Sequence, residues 1–146
     1  MGKVLEIGIS KNKGSKILKV DDVIAIKGKG LIGDRKYKAN NEKDKQITLI
    51  EVENINYYNK ISKKNFVPTE FRRNIVTQNI KLNALVGREF FIGEVKLKGH
   101  DLCRPCKYLQ NLIKQDNFKK EFLQKGGLRC EILSDGKISI NDEIKI

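Results

Sequence analysis

Tryptophan is absent from this chain of 146 residues, and cysteine, proline and histidine are scarce, at three, two and one. With aromatic residues at only 7%, few side chains can stack on bases, which weighs against a nucleic-acid-binding barrel. The single histidine, His100, excludes a His-Glu-x-x-His metal motif, and neither a Gly-x-Ser-x-Gly motif nor a convincing carboxylate dyad is present. No apolar run approaches the length of a membrane span. Residues 1–10 lack the charged region and apolar stretch of an export signal. Gly2 does not open a myristoylation signal, because Glu6 stands where Ser or Thr is wanted. An odd cysteine count without a leader predicts a cytoplasmic protein with reduced thiols and no membrane partner. Repeats, low-complexity stretches and linkers are missing too, so residues 1–146 are expected to form one domain.

What the chain has is positive charge. Its formal net charge is +12, spread as +6, +4 and +2 over residues 1–50, 51–100 and 101–146. Such a spread suits an anionic partner, either a phosphorylated small molecule or nucleic acid. Equally, a composition rich in Lys, Ile and Asn gives ordinary solvated surface lysines.

Hydrophobic periodicity predicts mostly strands. Leu5, Ile7 and Ile9 alternate with Glu6, Gly8 and Ser10. Strands are also expected at 17–20, 23–27, 46–50, 73–77, 128–133, 138–140 and 143–146, and a hairpin turns at Gly93-Glu94 between 90–92 and 95–97. From 51 to about 64 the period becomes helical, with Val52, Ile55 and Ile61 on one face. A second helix is expected after Pro105, with Leu109, Leu112 and Ile113 on one face and Phe118 and Phe122 on another. About eight short strands with two or three helices predict a mostly β chain, an antiparallel barrel with appended helices.

The sharpest chemical feature is Cys103-Arg104-Pro105-Cys106-Lys107. Pro105 suits the first turn of a helix, where its missing N–H costs nothing. Cys106 would then sit in that turn, and a helix N-terminus flanked by Arg104 and Lys107 lowers a thiol's pKa. Such a thiolate is a nucleophile, a sulfur carrier or a soft metal ligand. A thioredoxin-type pair, a structural zinc site from His100, Cys103, Cys106 and Cys130, and a buried apolar cysteine compete with that reading. The last accounts well for Cys130, which lies inside an apparent strand.

Three further features bear on a site. Arg72 and Arg73 open an expected strand, so they would point to opposite faces, one of them toward a phosphate. Gly126-Gly127 precedes Leu128-Arg129 and lets backbone approach a ligand or turn tightly. Gly30-Leu31-Ile32-Gly33-Asp34-Arg35 fits neither nucleotide-binding glycine motif. Asp34 could pair with a cation or cap exposed backbone N–H groups.

Taken in order, the Gly-x-x-Gly-Asp-Arg loop, the QITLIE strand, Arg-Arg-Asn-Ile, Val-Gly-x-x-Phe-x-Ile-Gly, the Pro-Cys helix start and the closing Gly-Gly-x-Arg with Gly-x-Ile resemble the MOSC domain. That family is named for the C-terminal domain of molybdenum cofactor sulfurase, and the similarity runs from about residue 4 to 146. The resemblance implies a β-barrel that binds molybdenum cofactor or carries sulfur to it. It matches the family's reactive cysteine to Cys106, as metal ligand or sulfur carrier. It also implies that Arg72, Arg73 and Arg129 hold the cofactor's phosphate and dithiolene, that Asp34 and Arg35 shape the rim, that Asn74 orients the pterin or an arginine, and that Gly127 belongs to the cofactor site. Pyridoxal phosphate would enter only through a separate cysteine desulfurase partner, or the chain would work with a cofactor-biosynthesis protein. A molybdenum-dependent reductase component acting on N-hydroxylated compounds is the alternative within the family. One departure stands out: Lys36 follows Gly-Asp-Arg where the family often has histidine.

Overall fold

The computed structural model describes residues 2–103 and 125–146. In chain order its strands are β1 (Gly2–Ile9), β2 (Leu18–Val20), β3 (Asp22–Ile26), β4 (Gly30–Leu31), β5 (Ile47–Glu51), β6 (Ile75–Gln78), β7 (Glu89–Ile92), β8 (Val95–Leu102), β9 (Leu128–Ile132), β10 (Gly136–Ser139) and β11 (Glu143–Lys145). One α-helix, α1 (Val52–Ser62), and two 3-10 turns, Pro68–Phe71 and Leu82–Leu85, complete the described elements. None of the described helices is long and apolar enough to cross a membrane. The expected helix after Pro105 falls outside the described residues.

Seven strands close on themselves in the order β11-β7-β8-β9-β5-β6-β1, with β1 pairing back to β11 and β2 appended to β1. Closure removes sheet edges from all seven. Every neighbouring pair in the ring is antiparallel except β5–β6, which is parallel. A parallel pair needs a crossover, and α1 lies on it. A second sheet, β10-β3-β4, packs its Val23, Ala25, Leu31 and Ile138 into the same core. The fold is thus the expected mostly β barrel.

Alternation fills the barrel. Ile47 and Leu49 of β5, Leu128, Cys130 and Ile132 of β9, and Leu97 of β8 are at most 1% exposed. In β1 the alternation breaks. A register shift between Val4 and Glu6 turns Val4 and Ile7 into the core, while Leu5 packs outside against the cluster beneath α1. In that outer cluster Ile55 and Tyr58 of α1 meet Ile50, Val76 and Phe71. Ile61 is 43% exposed, so the apolar face of α1 runs through Tyr58 and not through Ile61 as expected. All five residues of β5 are buried, because it carries the core on one face and this cluster or the loop scaffold on the other.

Candidate functional site

The site begins in the loop between β4 and β5. Asp34 is 9% exposed, and both its carboxylate oxygens are taken by backbone donors: Ser10 N–H at 2.9 Å and Lys36 N–H at 3.3 Å. The Arg35 N–H donates in return to the Ser10 carbonyl at 2.7 Å. This clasp ties the loop to the end of β1 and fixes where Arg35 and Lys36 emerge. Asp34 therefore caps backbone N–H groups, and it forms no ion pair among the described residues. Asn41 holds the next stretch, donating Nδ2 to the carbonyls of Lys29 at 2.9 Å and Lys36 at 2.6 Å. Gln46 closes the loop, donating to the Asn41 carbonyl at 3.3 Å and accepting the Ile132 N–H at 2.8 Å.

The floor comes from the barrel's outer face. Thr48 of β5 stands opposite Arg129 of β9, and their sequence neighbours Ile47, Leu49, Leu128 and Cys130 all point into the core. Alternation then sends Thr48 and Arg129 outward side by side. Beside Thr48 lies Asn74. Its Oδ1 accepts the Thr48 N–H at 3.1 Å and the Thr48 hydroxyl at 3.2 Å, and its Nδ2 donates to the Gly8 carbonyl at 3.1 Å. The side chain of Asn74 thus locks β1, β5 and the entry to β6 together. Asn74→Ala would leave the Thr48 N–H and the Gly8 carbonyl without these partners in a buried setting. We expect a loss of about 2–4 kcal/mol, read as a lower urea midpoint, with Thr48→Val costing less.

Arg72 and Arg73 are not the first residues of a strand. Arg72 ends the 3-10 turn Pro68–Phe71 in the left-handed conformation, with φ 59 and its N–H donating to the Thr69 carbonyl. The strand begins at Ile75, so the expected opposite-face geometry does not apply. Arg73 donates its Nε–H to the Gly126 carbonyl at 2.9 Å, and no bond from its two terminal nitrogens is made among the described residues. Gly127, at φ 110, lies so close to β5 that an added Cβ would overlap the Leu49 carbonyl oxygen. Its close approach is therefore to the protein's own backbone.

These pieces converge. A groove of about 400 Å³ is lined by Arg35, Lys36, Lys38, Lys45, Thr48 and Arg129, with Tyr37, Asn41 and Asp44 on its walls. A smaller cleft shares Arg35, Lys36 and Thr48 with it and adds Ser10, Arg72 and Asn74. Lys45 is paired with Glu42 at 2.7 Å, and among the described residues Arg129 makes only a long 3.9 Å ion contact, with Asp44. Arg35, Lys36, Arg72 and Arg73 have no carboxylate ion pair among the described residues. Lys36 registers the crowding. Partial loss of hydration, then the like charges of Arg35 and Arg73, hold its pKa below the ordinary lysine value, with Asp34 opposing and Arg129 adding.

That shift has a sign. A lysine whose folded pKa is depressed binds fewer protons in the native state than in the unfolded state, so stability rises with pH across the window between the two values. Lys36→Met is expected to unfold at higher urea than the parent at pH 7, with the gap closing toward pH 10. The effect is small, because Lys36 is solvent-exposed. Paired urea titrations across that range measure it.

The cysteines divide. Cys130 is fully buried in the barrel core, as a small apolar residue would be, and burial, then the nearby Cys103, pushes its thiol well above the ordinary value. Cys103 is also buried, with its N–H donating to the Gly127 carbonyl at 2.7 Å. His100 bonds Glu131 at 2.9 Å on the other face of β9 from Cys130, which separates two members of the zinc arrangement. Among the described residues no three His, Cys, Asp or Glu converge as a metal site. Cys106 lies outside the described residues.

Sequence reasoning placed Asp34, Arg35, Arg72, Asn74 and Arg129 on this surface, and the structure brings them together around the two clefts. It passed over Lys36, noted only as a departure, and over Thr48, which both clefts share. The signal for Thr48 was available, as the one outward polar residue between Ile47 and Leu49. Lys38, Asn41 and Lys45 carried no pattern that distinguishes them from other loop residues.

The MOSC domain model matches residues 34–145, which includes the groove loop, β5, β6 and β9. No curated protein matches the chain. Solved structures do. YuaD from Bacillus subtilis superposes with a TM-score of 0.84 at 17% identity, covering 99% of this chain and 94% of that one. YiiM from Geobacillus stearothermophilus gives 0.78 at 15% identity over 99% and 74%. YiiM from Escherichia coli gives 0.72 at 17% identity over 98% and 68%. At these identities the likeness establishes the fold, and the match over 34–145 establishes the family. The chain belongs to the MOSC domain family, which is associated with the molybdenum cofactor.

Proposed function

We propose that the cationic groove holds the molybdenum cofactor and that Cys106 ligates the metal or carries sulfane sulfur beside it. One observation carries the proposal: Arg35 and Lys36 line the groove, and Arg72 the small cleft beside it, without a carboxylate ion pair among the described residues, Arg129 joins them on the groove, and Arg73 is near enough for its charge to act on Lys36. Such a cluster is costly unless an anion completes it. A phosphorylated dithiolene cofactor is an anion of the right kind, and about 400 Å³ suits a small ligand. The donor set therefore fits the cofactor's anionic groups.

Arg73 offers its terminal nitrogens to phosphate, since its Nε–H is spent on Gly126. Arg129 and Lys36 add charge from the groove lining. Asp34 and Asn74 act through the scaffold, the first setting the loop that carries Arg35 and Lys36, the second fixing Thr48. The cofactor, when bound, supplies a redox-capable metal with affinity for soft sulfur ligands. Cys106 would contribute the thiolate, which its sequence neighbours Arg104 and Lys107 favour. A cysteine desulfurase would be the sulfur donor if the chain acts as a carrier.

Elemental analysis of freshly purified protein for molybdenum, zinc and labile sulfur tests this, with Cys106→Ser alongside. Molybdenum or sulfane sulfur in the parent and its loss in a folded Cys106→Ser is the expected result. Full loading of that variant overturns the role of Cys106, and stoichiometric zinc overturns the cofactor reading.

A further inference from the structure

Among the described residues one aromatic side chain lines the groove of about 400 Å³, that of Tyr37. Its sequence neighbours Lys36 and Lys38 line the same groove, as do Arg35 and Arg129. Tyr37 is 38% exposed, and its ring has no aromatic or cation partner among the described residues. The rings that do have partners lie elsewhere: Tyr58, Phe66 and Phe71 pack on one another, and Lys125 covers Tyr57. We infer that Tyr37 is a stacking platform, and that the ligand of this groove couples one flat conjugated ring, laid on Tyr37, to an anionic group held by the surrounding cations. The inference rests on the proposed function, in which that ring is the cofactor's pterin, and names the residue that selects for it.

The backbone beneath Tyr37 is held in place. Its N–H donates to the Asp34 carbonyl at 3.1 Å, and the next N–H, of Lys38, donates to the Lys29 carbonyl at 3.2 Å. On the other side the Lys36 carbonyl accepts Asn41 Nδ2 at 2.6 Å. Behind the loop, a Cβ added to Gly30 would lie 3.3 Å from the Tyr37 Cα, so β4 backs the chain closely at this residue. A ring on so fixed a base loses little freedom when a ligand covers it. Stacking on an aromatic side chain favours a ligand with a π-face and adds nothing for a bare phosphate. A single platform suits one ring, in keeping with a small-molecule ligand and not with a polynucleotide.

Titration calorimetry with two monophosphate esters, hydroxymethylpterin phosphate and glycerol phosphate, tests the inference at one fixed ionic strength. The two share the phosphate and differ in the ring. The intact chain is expected to bind the pterin ester at least about fivefold more tightly. Tyr37→Ala should reduce that preference to about twofold or less by weakening the pterin ester, whereas Tyr37→Phe, which keeps the ring and removes the hydroxyl, should retain it. Tyr37 belongs to neither core cluster, so both variants are expected to keep the parent's urea midpoint, which verifies that they fold. Equal affinity of the parent for the two esters, a preference that survives Tyr37→Ala, or its loss in Tyr37→Phe overturns the platform and leaves the groove's anion-binding role intact. Binding of neither ester overturns both.

Discussion

Gly127→Ala is expected to destabilise the protein by about 3–5 kcal/mol, enough to threaten folding of a domain this size. Two separate costs meet at this residue. At φ 110 a side chain is strained wherever it points, and here it would also overlap the Leu49 carbonyl oxygen on β5. Relief by movement is blocked on both sides, because the Gly127 carbonyl accepts the Cys103 N–H and the adjacent Gly126 carbonyl accepts Arg73 Nε–H. Gly14 gives the comparison: it too has positive φ, 78, but a Cβ there meets nothing within 4 Å. Gly14→Ala should cost only about 1 kcal/mol. Urea unfolding of both variants separates strain from steric overlap, and equal losses would contradict the packing account.

Arg129→Gln should weaken binding of an anionic cofactor by about 10- to 100-fold with little change in stability. The first part follows from the worth of a charge-assisted hydrogen bond in a partly enclosed groove, roughly 1.5–3 kcal/mol. The second follows from its partner: Asp44 is 3.9 Å away and both side chains are about 40% exposed, so the pair contributes little to folding. Function and stability therefore come apart at Arg129, whereas Asn74 and Gly127 affect binding mainly through the fold. A matched urea midpoint with weakened binding supports the assignment, and unchanged binding removes Arg129 from the site.

What the sequence revealed depended on whether its signal was local. The 93–94 turn could be read, and Ile92 indeed pairs with Val95 across it, because turn chemistry and alternation act over a few residues. The buried run of β5 was equally plain. The strand count pointed to a barrel, but the pair that closes the ring was not legible, since Gly2 and Ile144 stand at the two ends of the chain. Leu5 and Ile61 were misassigned for a shared reason: a bulge and a helix rotation are set by what packs against them, and periodicity alone carries neither. Arg72 and Arg73 looked like a strand start, but Pro68 begins a 3-10 turn ending at Phe71, and Arg72 follows it in the left-handed conformation. Within the site, charged residues next to glycine or asparagine drew notice, while Lys36 gained meaning only once Arg73 and Arg129, distant in sequence, were beside it.

The most direct test of the cofactor groove is a titration of the purified protein with isolated molybdenum cofactor, beside the Lys36→Gln/Arg129→Gln double variant, at low and high salt. Saturable binding to the parent that weakens with salt and falls by more than about tenfold in the double variant is the predicted result. Equal binding by parent and variant, or none by the parent, would contradict it.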